Sequence, residues 1–231
     1  MGLAASCDVI IPWRTDDGPR QEIFDWIKRR WASHYPDFGL IEGDAGGVNF
    51  SRAKTRNVLV EQSNADIIIL ADADTTSVGA GLIESYIDVI NEDCWHVAYP
   101  ECNYYNLTRE FTQTVLQNPP EAVLLAQRDQ IEHQLTSWAG LLVMRRETFL
   151  RYGGYDERFI GWGHEDVAFR LKYDNEFSKH RRPRAGAAYH LWHPREDATF
   201  DTESELVNRK LFEREYVRKY NWRDERLKRR R

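Results

Sequence analysis

Apolar residues in this chain come in short blocks set apart by polar turns, and the blocks change period along the sequence. Cys7 to Pro12, CDVIIP, is an almost unbroken apolar run, the pattern of a short buried strand. Trp13 to Gly18 is polar and turn-like. Pro19 to His34 switches to helical period, with Ile23, Trp26, Ile27 and Arg30 on one side. Phe38 to Ile41 predicts a second strand and Gly43 to Gly47 a loop. Ser51 then caps a helix running to about Ser63. Ile67 to Leu70 is wholly apolar, which predicts a central strand, and it ends in Ala71-Asp72-Ala73-Asp74.

Strand, helix, strand, helix, strand predicts an α/β fold with parallel strands and right-handed crossovers. Ligands bind beyond the carboxyl ends of such strands. Arg14 to Asp16 and Asp72 to Asp74 are therefore expected at one edge of the sheet. Further on, Gly79 to Asn91 predicts a helix and Trp95 to Tyr99 a strand. Tyr104 to Pro120 has no clear period, and Glu121 to His133 predicts a helix. Ser137 to Lys172 opens as an apolar strand and turns at Gly153-Gly154. It then reaches Gly161-Trp162-Gly163-His164-Glu165-Asp166, just before a helix-patterned segment. Lys179 to Arg184 is a basic loop, and Ala187 to Trp192 a late strand leading into His193-Pro194. Glu203 to Tyr220 predicts an amphipathic helix with Leu206, Leu211, Phe212 and Tyr216 inward. The expected organisation is one domain over residues 1–222 and a basic tail over 223–231.

Composition narrows the class. Of 231 residues, 42% are hydrophobic and 13% aromatic, enough for the core of one domain. Thirty-seven acidic against 32 basic residues give a net charge of −5, which argues against nonspecific nucleic-acid binding. The basic end is read as a solvated helix end or frayed tail. Cys7, Cys94 and Cys102 have no metal-ligand spacing, and an odd count without a framework fits a reducing compartment. The opening MGLAASC has no basic start or long apolar region, and no run approaches the roughly 20 apolar residues of a membrane span. A cytoplasmic protein without a membrane span is expected. Asn106-Leu107-Thr108 matches a glycosylation acceptor and, without an export signal, is read as chance.

Four groups of residues carry candidate chemistry. Asp72 and Asp74 are alternate positions at a strand end, so both carboxylates can point one way and share a hard cation. His190 and His193 add two imidazoles, which suit Mn²⁺ better than Mg²⁺. Trp162 between two glycines, followed by paired carboxylates, suits a sugar, which offers a C–H face for stacking and hydroxyls for hydrogen bonds. Arg52, at a helix start beside Phe50, suits a phosphate or a base ring.

Taken in order, Pro12-Trp13-Arg14, Phe50-x-Arg52-Ala53-Lys54-x-x-Asn57, Asp72-x-Asp74, Trp138-x-Gly140, Gly161-Trp162-Gly163-x-Glu165-Asp166 and His190-x-x-His193 form a series. It resembles the β-1,4-galactosyltransferase family and the related N-acetylgalactosaminyltransferases, over roughly Asp8 to Arg195. The resemblance implies a GT-A fold, with a mostly parallel, Rossmann-like central sheet and flanking helices. It implies inverting transfer of a hexose or N-acetylhexosamine from a UDP-sugar, with Mn²⁺ as cofactor and Mg²⁺ as the alternative. Pro12, Arg14, Phe50 and Arg52 would hold the uridine and diphosphate, and Asp72 the ribose or the metal region. Asp74, His193 and His190 would bind the metal. Trp162 would stack on the sugar, Glu165 would bind acceptor hydroxyls and Asp166 would be the general base. Asp16, Trp138, Gly140 and Gly163 join the expected substrate site. The acceptor would be a glycan, a lipid or a protein.

The chain departs from the family pattern in places. Val167-Ala168-Phe169 replaces the run of acids usual after the glutamate, and the anchor and disulfides of the animal enzymes are not seen. Ser137 falls about where the family tunes galactose against N-acetylgalactosamine. Three other readings remain: a retaining transferase of the polypeptide N-acetylgalactosaminyl type, a non-catalytic sugar-nucleotide or glycan-binding module, and a nucleotidyltransferase using Asp72 and Asp74 for two metals.

Overall fold

The computed structural model describes residues 5–15, 17–78, 82–91, 97–98, 103–122, 124–135, 140–161, 163–176, 187–194 and 203–220. The first five elements match the apolar pattern. They are β1 (Cys7–Pro12), α1 (Pro19–His34), β2 (Gly39–Gly43), α2 (Arg52–Gln62) and β3 (Ile67–Ala71). Strand β1 pairs in parallel with both β2 and β3. Then follow β4 (Thr75–Val78), α3 (Leu82–Asn91), β5 (Val97–Ala98), β6 (Asn103–Leu107) and α4 (Arg109–Gln117). The remaining elements are β7 (Ile131–Leu135), β8 (Leu141–Arg145), α5 (Arg146–Arg151), α6 (Glu165–Glu176), β9 (Ala187–His190) and α7 (Glu203–Phe212).

The larger sheet has the order β2-β1-β3-β8-β5, and the smaller one β4-β9-β6-β7. In the larger sheet β8 runs against both β3 and β5, so the other four strands share one direction. That is the mostly parallel sheet expected. Both of its faces are covered. Val9, Ile11, Ile67 and Ile69 pack with Phe24, Trp26 and Ile27 of α1. Ile10, Ile68 and Leu70 face Ala53, Leu59 and Val60 of α2, with Phe149 and Phe169 behind. Each fully buried Ile contributes roughly 1.5–3 kcal/mol, which explains why β1 and β3 read as unbroken apolar runs.

Three expectations change. The helix expected over Glu121 to His133 does not form; a 3₁₀ turn at Arg128–Gln130 leads directly into β7. Past Ala126 that segment carries one apolar residue, Ile131, too few to bury a helix. Among the described residues, strand β7 is the edge of the smaller sheet and pairs only with β6, so it needs little apolar content. The unread stretch from Tyr104 holds β6 and α4, the latter capped by the Thr108 hydroxyl accepting from Phe111 N at 3.2 Å. Leu206 is 39% exposed rather than inward, while Glu205 and Asn208 of α7 are buried. These two polar residues dock the helix onto the loop before α6. The expected tail lies outside the described residues. Among the described residues, no helix is long and apolar enough to cross a membrane.

One turn fixes the approach to α6. Gly153 and Gly154 adopt φ of +72° and +57°. The Asn57 side chain of α2 closes this turn, accepting from Tyr155 N at 2.8 Å and donating to Tyr155 O at 2.9 Å. A Cβ on Gly154 would lie 2.3 Å from Asn57 Oδ1. Gly154→Ala is therefore predicted to destabilise the fold by more than about 1 kcal/mol in urea unfolding. A variant as stable as the parent would show that the Asn57 contact yields freely.

Candidate active site

The carboxyl edge of β3 divides its two acids. The strand ends at Ala71, so the alternation that would aim Asp72 and Asp74 alike no longer applies, and the two side chains part. Asp72 is held at its amide, which donates to Gly140 O at 3.0 Å, and its carboxylate turns to α2. Asp74 turns to the other side. Strands β4 and β9 pair antiparallel with Thr75 opposite His190, and Leu191 N donates to Asp74 O at 2.9 Å. This pairing sets His190 Nε2 3.7 Å from Asp74 Oδ1 and His193 Nε2 3.3 Å from Asp74 Oδ2.

One ligand atom from each of Asp74, His190 and His193 lies within 4.8 Å of the others. Asp74 is 9% exposed. Burial raises its pKa, but His190, His193 and Arg20 more than offset that and hold it well below the usual carboxylate range. An ionised carboxylate with two imidazoles is a donor set that fits a divalent transition cation. Gly140 is needed at its position. Its φ is +91°, and a Cβ there would lie 2.8 Å from the Tyr104 hydroxyl, which meets Thr75 Oγ1 at 3.0 Å. Beside the triad is a cavity of about 270 Å³, bordered by Asn106, Glu132, His133, His190, Trp192 and His193.

The second cluster joins α2 to α6. Ser51 caps α2, accepting from Lys54 N at 3.2 Å, and its hydroxyl donates to Phe159 O at 3.0 Å. Gly161 N donates to Phe50 O at 3.1 Å. These bonds tie the start of α2 to the loop that opens α6. Arg52 Nη2 then lies 2.6 Å from Glu165 Oε1, and Glu165 is 3% exposed. One turn on, Arg56 donates from Nη1 to Asp166 Oδ1 at 2.8 Å and from Nη2 to Asp72 Oδ1. Its guanidinium lies over the Tyr155 ring, 4.9 Å from the centroid. The Asp166 pKa is raised: burial and Glu165 push it up more than Arg56 and Arg52 pull it down.

The third group stands at the end of β1. Pro12 is buried there, and Trp13 N donates to Gly43 O at 2.7 Å. Arg14 lies over the Phe50 ring at 5.5 Å and is engaged by the loop after β2. It pairs with Asp44 and donates to Gly47 O at 2.9 Å and Val48 O at 3.1 Å. Gly163 has φ +102° and stands at the start of α6. Asp16, Trp138 and Trp162 lie outside the described residues.

Residues 127–194 match the family model described as the N-terminal domain of galactosyltransferase. Among solved structures, the catalytic domain of a Drosophila β1,4-galactosyltransferase 7 complexed with xylobiose aligns with TM-score 0.58 at 15% identity. The alignment covers 89% of this chain and 79% of that one. The chain adopts the GT-A fold. GalNAc-T7 with UDP, GalNAc and Mn²⁺ aligns at 0.54 and 12% identity, over 92% of this chain and 48% of that one. The mannosyltransferase PcManGT from Pyrobaculum calidifontis, in complex with GDP-Man and Mn²⁺, aligns at 0.51 and 16%, covering 84% and 59%. No curated protein sequence matches this chain.

Sequence reasoning missed several residues of this candidate site. Arg56 sits between motif positions, and its signal was the i,i+4 spacing from Arg52, which puts both on one helix face. Arg20, 3.9 Å from Asp74 and over the Trp13 ring at 5.1 Å, had no sequence signal. Nor did the docking of α7. Asn208 Nδ2 donates to Ile160 O at 2.9 Å and Oδ1 accepts from Ile160 N at 3.3 Å, while Glu205 lies 3.2 Å from His164 Nε2. Asn208→Leu would leave both Ile160 groups unpaired, at a cost of about 1–3 kcal/mol in unfolding experiments. Unchanged stability would show that the loop before α6 does not depend on α7.

Proposed function

We propose that this protein is a glycosyltransferase that moves a hexose or N-acetylhexosamine, of galactose or N-acetylgalactosamine type, from a UDP-sugar to an acceptor hydroxyl with inversion. Asp166 is its general base, and Asp74, His190 and His193 are its Mn²⁺ ligands. The observation that carries this reading is a half-buried carboxylate with a raised pKa at the start of α6, joined through Arg56 to the strand end that leads to Asp74. Support also comes from the Drosophila neighbour, of which a mutant is recorded in complex with manganese, UDP-Gal and xylobiose. That complex favours a glycan acceptor over a lipid or protein.

Each residue then has a task. Asp166 takes the proton of the acceptor hydroxyl as its oxygen attacks the anomeric carbon, and the sugar–phosphate bond breaks on the opposite face. Bound Mn²⁺ would neutralise charge developing on the departing UDP. Pro12, Arg14 and Phe50 frame the nucleotide side, where release of the Asp44 to Val48 loop would free the Arg14 guanidinium for phosphate. Arg52 holds Glu165, which orients the acceptor. Trp162 stacks on the sugar.

Asp166→Asn is predicted to lower kcat by about 10²–10⁴-fold while UDP binding persists. NMR of the product from an α-linked donor should show a β linkage. The base must be ionised, and its pKa is raised, so kcat should fall with decreasing pH at values above the ordinary aspartate pKa of about 3.9. An α-linked product would overturn inversion and favour the retaining reading. Full activity in Asp166→Asn would overturn the base.

A further inference from the structure

Arg56 stands where the sequence series leaves a position unspecified, yet it touches both halves of the site. It is 2% exposed and bridges Asp72, at the end of β3, to Asp166, at the start of α6. No described residue occupies the second oxygen of Asp166, whereas Oδ1 accepts from Arg56. A guanidinium offers a planar fork that fixes direction as well as charge, which an ammonium does not. Anchored on Asp72 and lying over Tyr155, this fork has little freedom to turn.

We propose that Arg56 is a positioning residue for the transfer reaction: it clamps one oxygen of Asp166 and presents the other to the acceptor hydroxyl. This inference rests on the general-base reading above. The clamp also spaces the two sides of the reaction, because Asp72 lies on the strand end that leads to the metal ligands. Among the described residues, every charged or titratable group facing Asp166 bears on its proton. These are Arg52 and Arg56 from α2, Glu165 from α6, Tyr155 from the preceding loop, Asp72 after β3 and Tyr104 from β6. Of these, the two guanidiniums favour the ionised base. Removing one should hold the proton on Asp166 to higher pH, and changing its shape should misdirect a base that is still ionised.

The test compares the parent with Arg56→Met and Arg56→Lys, reading kcat, donor KM, the pH profile and the Asp166 carboxyl by ¹³C NMR titration. Arg56→Met is expected to lower kcat tenfold or more. It should also move both the acid limb of kcat and the NMR titration of Asp166 to higher pH. Arg56→Lys keeps a charge and guards against misfolding of the first variant. It should restore much of the titration but little of kcat, with donor KM changed less than kcat. Loss of thermal stability alone, with parental kcat and acid limb in the surviving fold, would overturn the inference and leave Arg56 a structural staple. The NMR arm separates the two claims. If the parent transfers no sugar, the proposed reaction fails; if Asp166 also titrates identically in all three proteins, the clamp fails with it.

Discussion

Buried charge is the constraint on which this site depends. Asp72, Glu165 and Asp166 present three carboxylates to two guanidiniums, Arg52 and Arg56, largely out of water. Breaking one partner of such a group strands the other, at a cost of several kcal/mol. The pairing therefore dictates geometry. Helix α2 must bring the face bearing Arg52 and Arg56 against the start of α6, and β3 must end where Asp72 meets the fork. The Ser51 cap, the Asn57 bridge and the glycine turn at 153–154 all serve that approach.

The triad of Asp74, His190 and His193 obeys a similar rule with different elements. Asp74 is buried against two imidazoles, which come from β9 and the residues after it. The smaller sheet is what sets them in place, since β4 follows Asp74 directly and pairs with β9. The two clusters thus share one short segment, 72–74, whose acids turn to opposite sides. A single strand end feeds both the charge cluster at α6 and the candidate cation site.

Much of this was legible in the residues. The apolar runs of β1 and β3 and the helical period of α1 depend on local burial, and each formed where expected. Asp74, His190 and His193 were identified separately and meet in space. What failed was non-local. Strand β7 carries few apolar residues because it is a sheet edge, so its sequence resembled a polar helix. Leu206 faces outward because α7 binds the loop before α6 through Glu205 and Asn208, which no hydrophobic pattern reports. Arg56 falls at an unspecified position of the sequence series; its burial follows from acids more than 100 positions away in Asp166 and 16 away in Asp72.

The central claim is that Asp74, His190 and His193 form one divalent-cation site serving a nucleotide sugar. The most direct measurement is electron paramagnetic resonance titration of Mn²⁺ with UDP-Gal, on the parent and on Asp74→Ala and His193→Ala. Saturable binding by the parent, lost in both variants while their folds persist, is the predicted result. Equal binding by all three, or none by the parent, would contradict it.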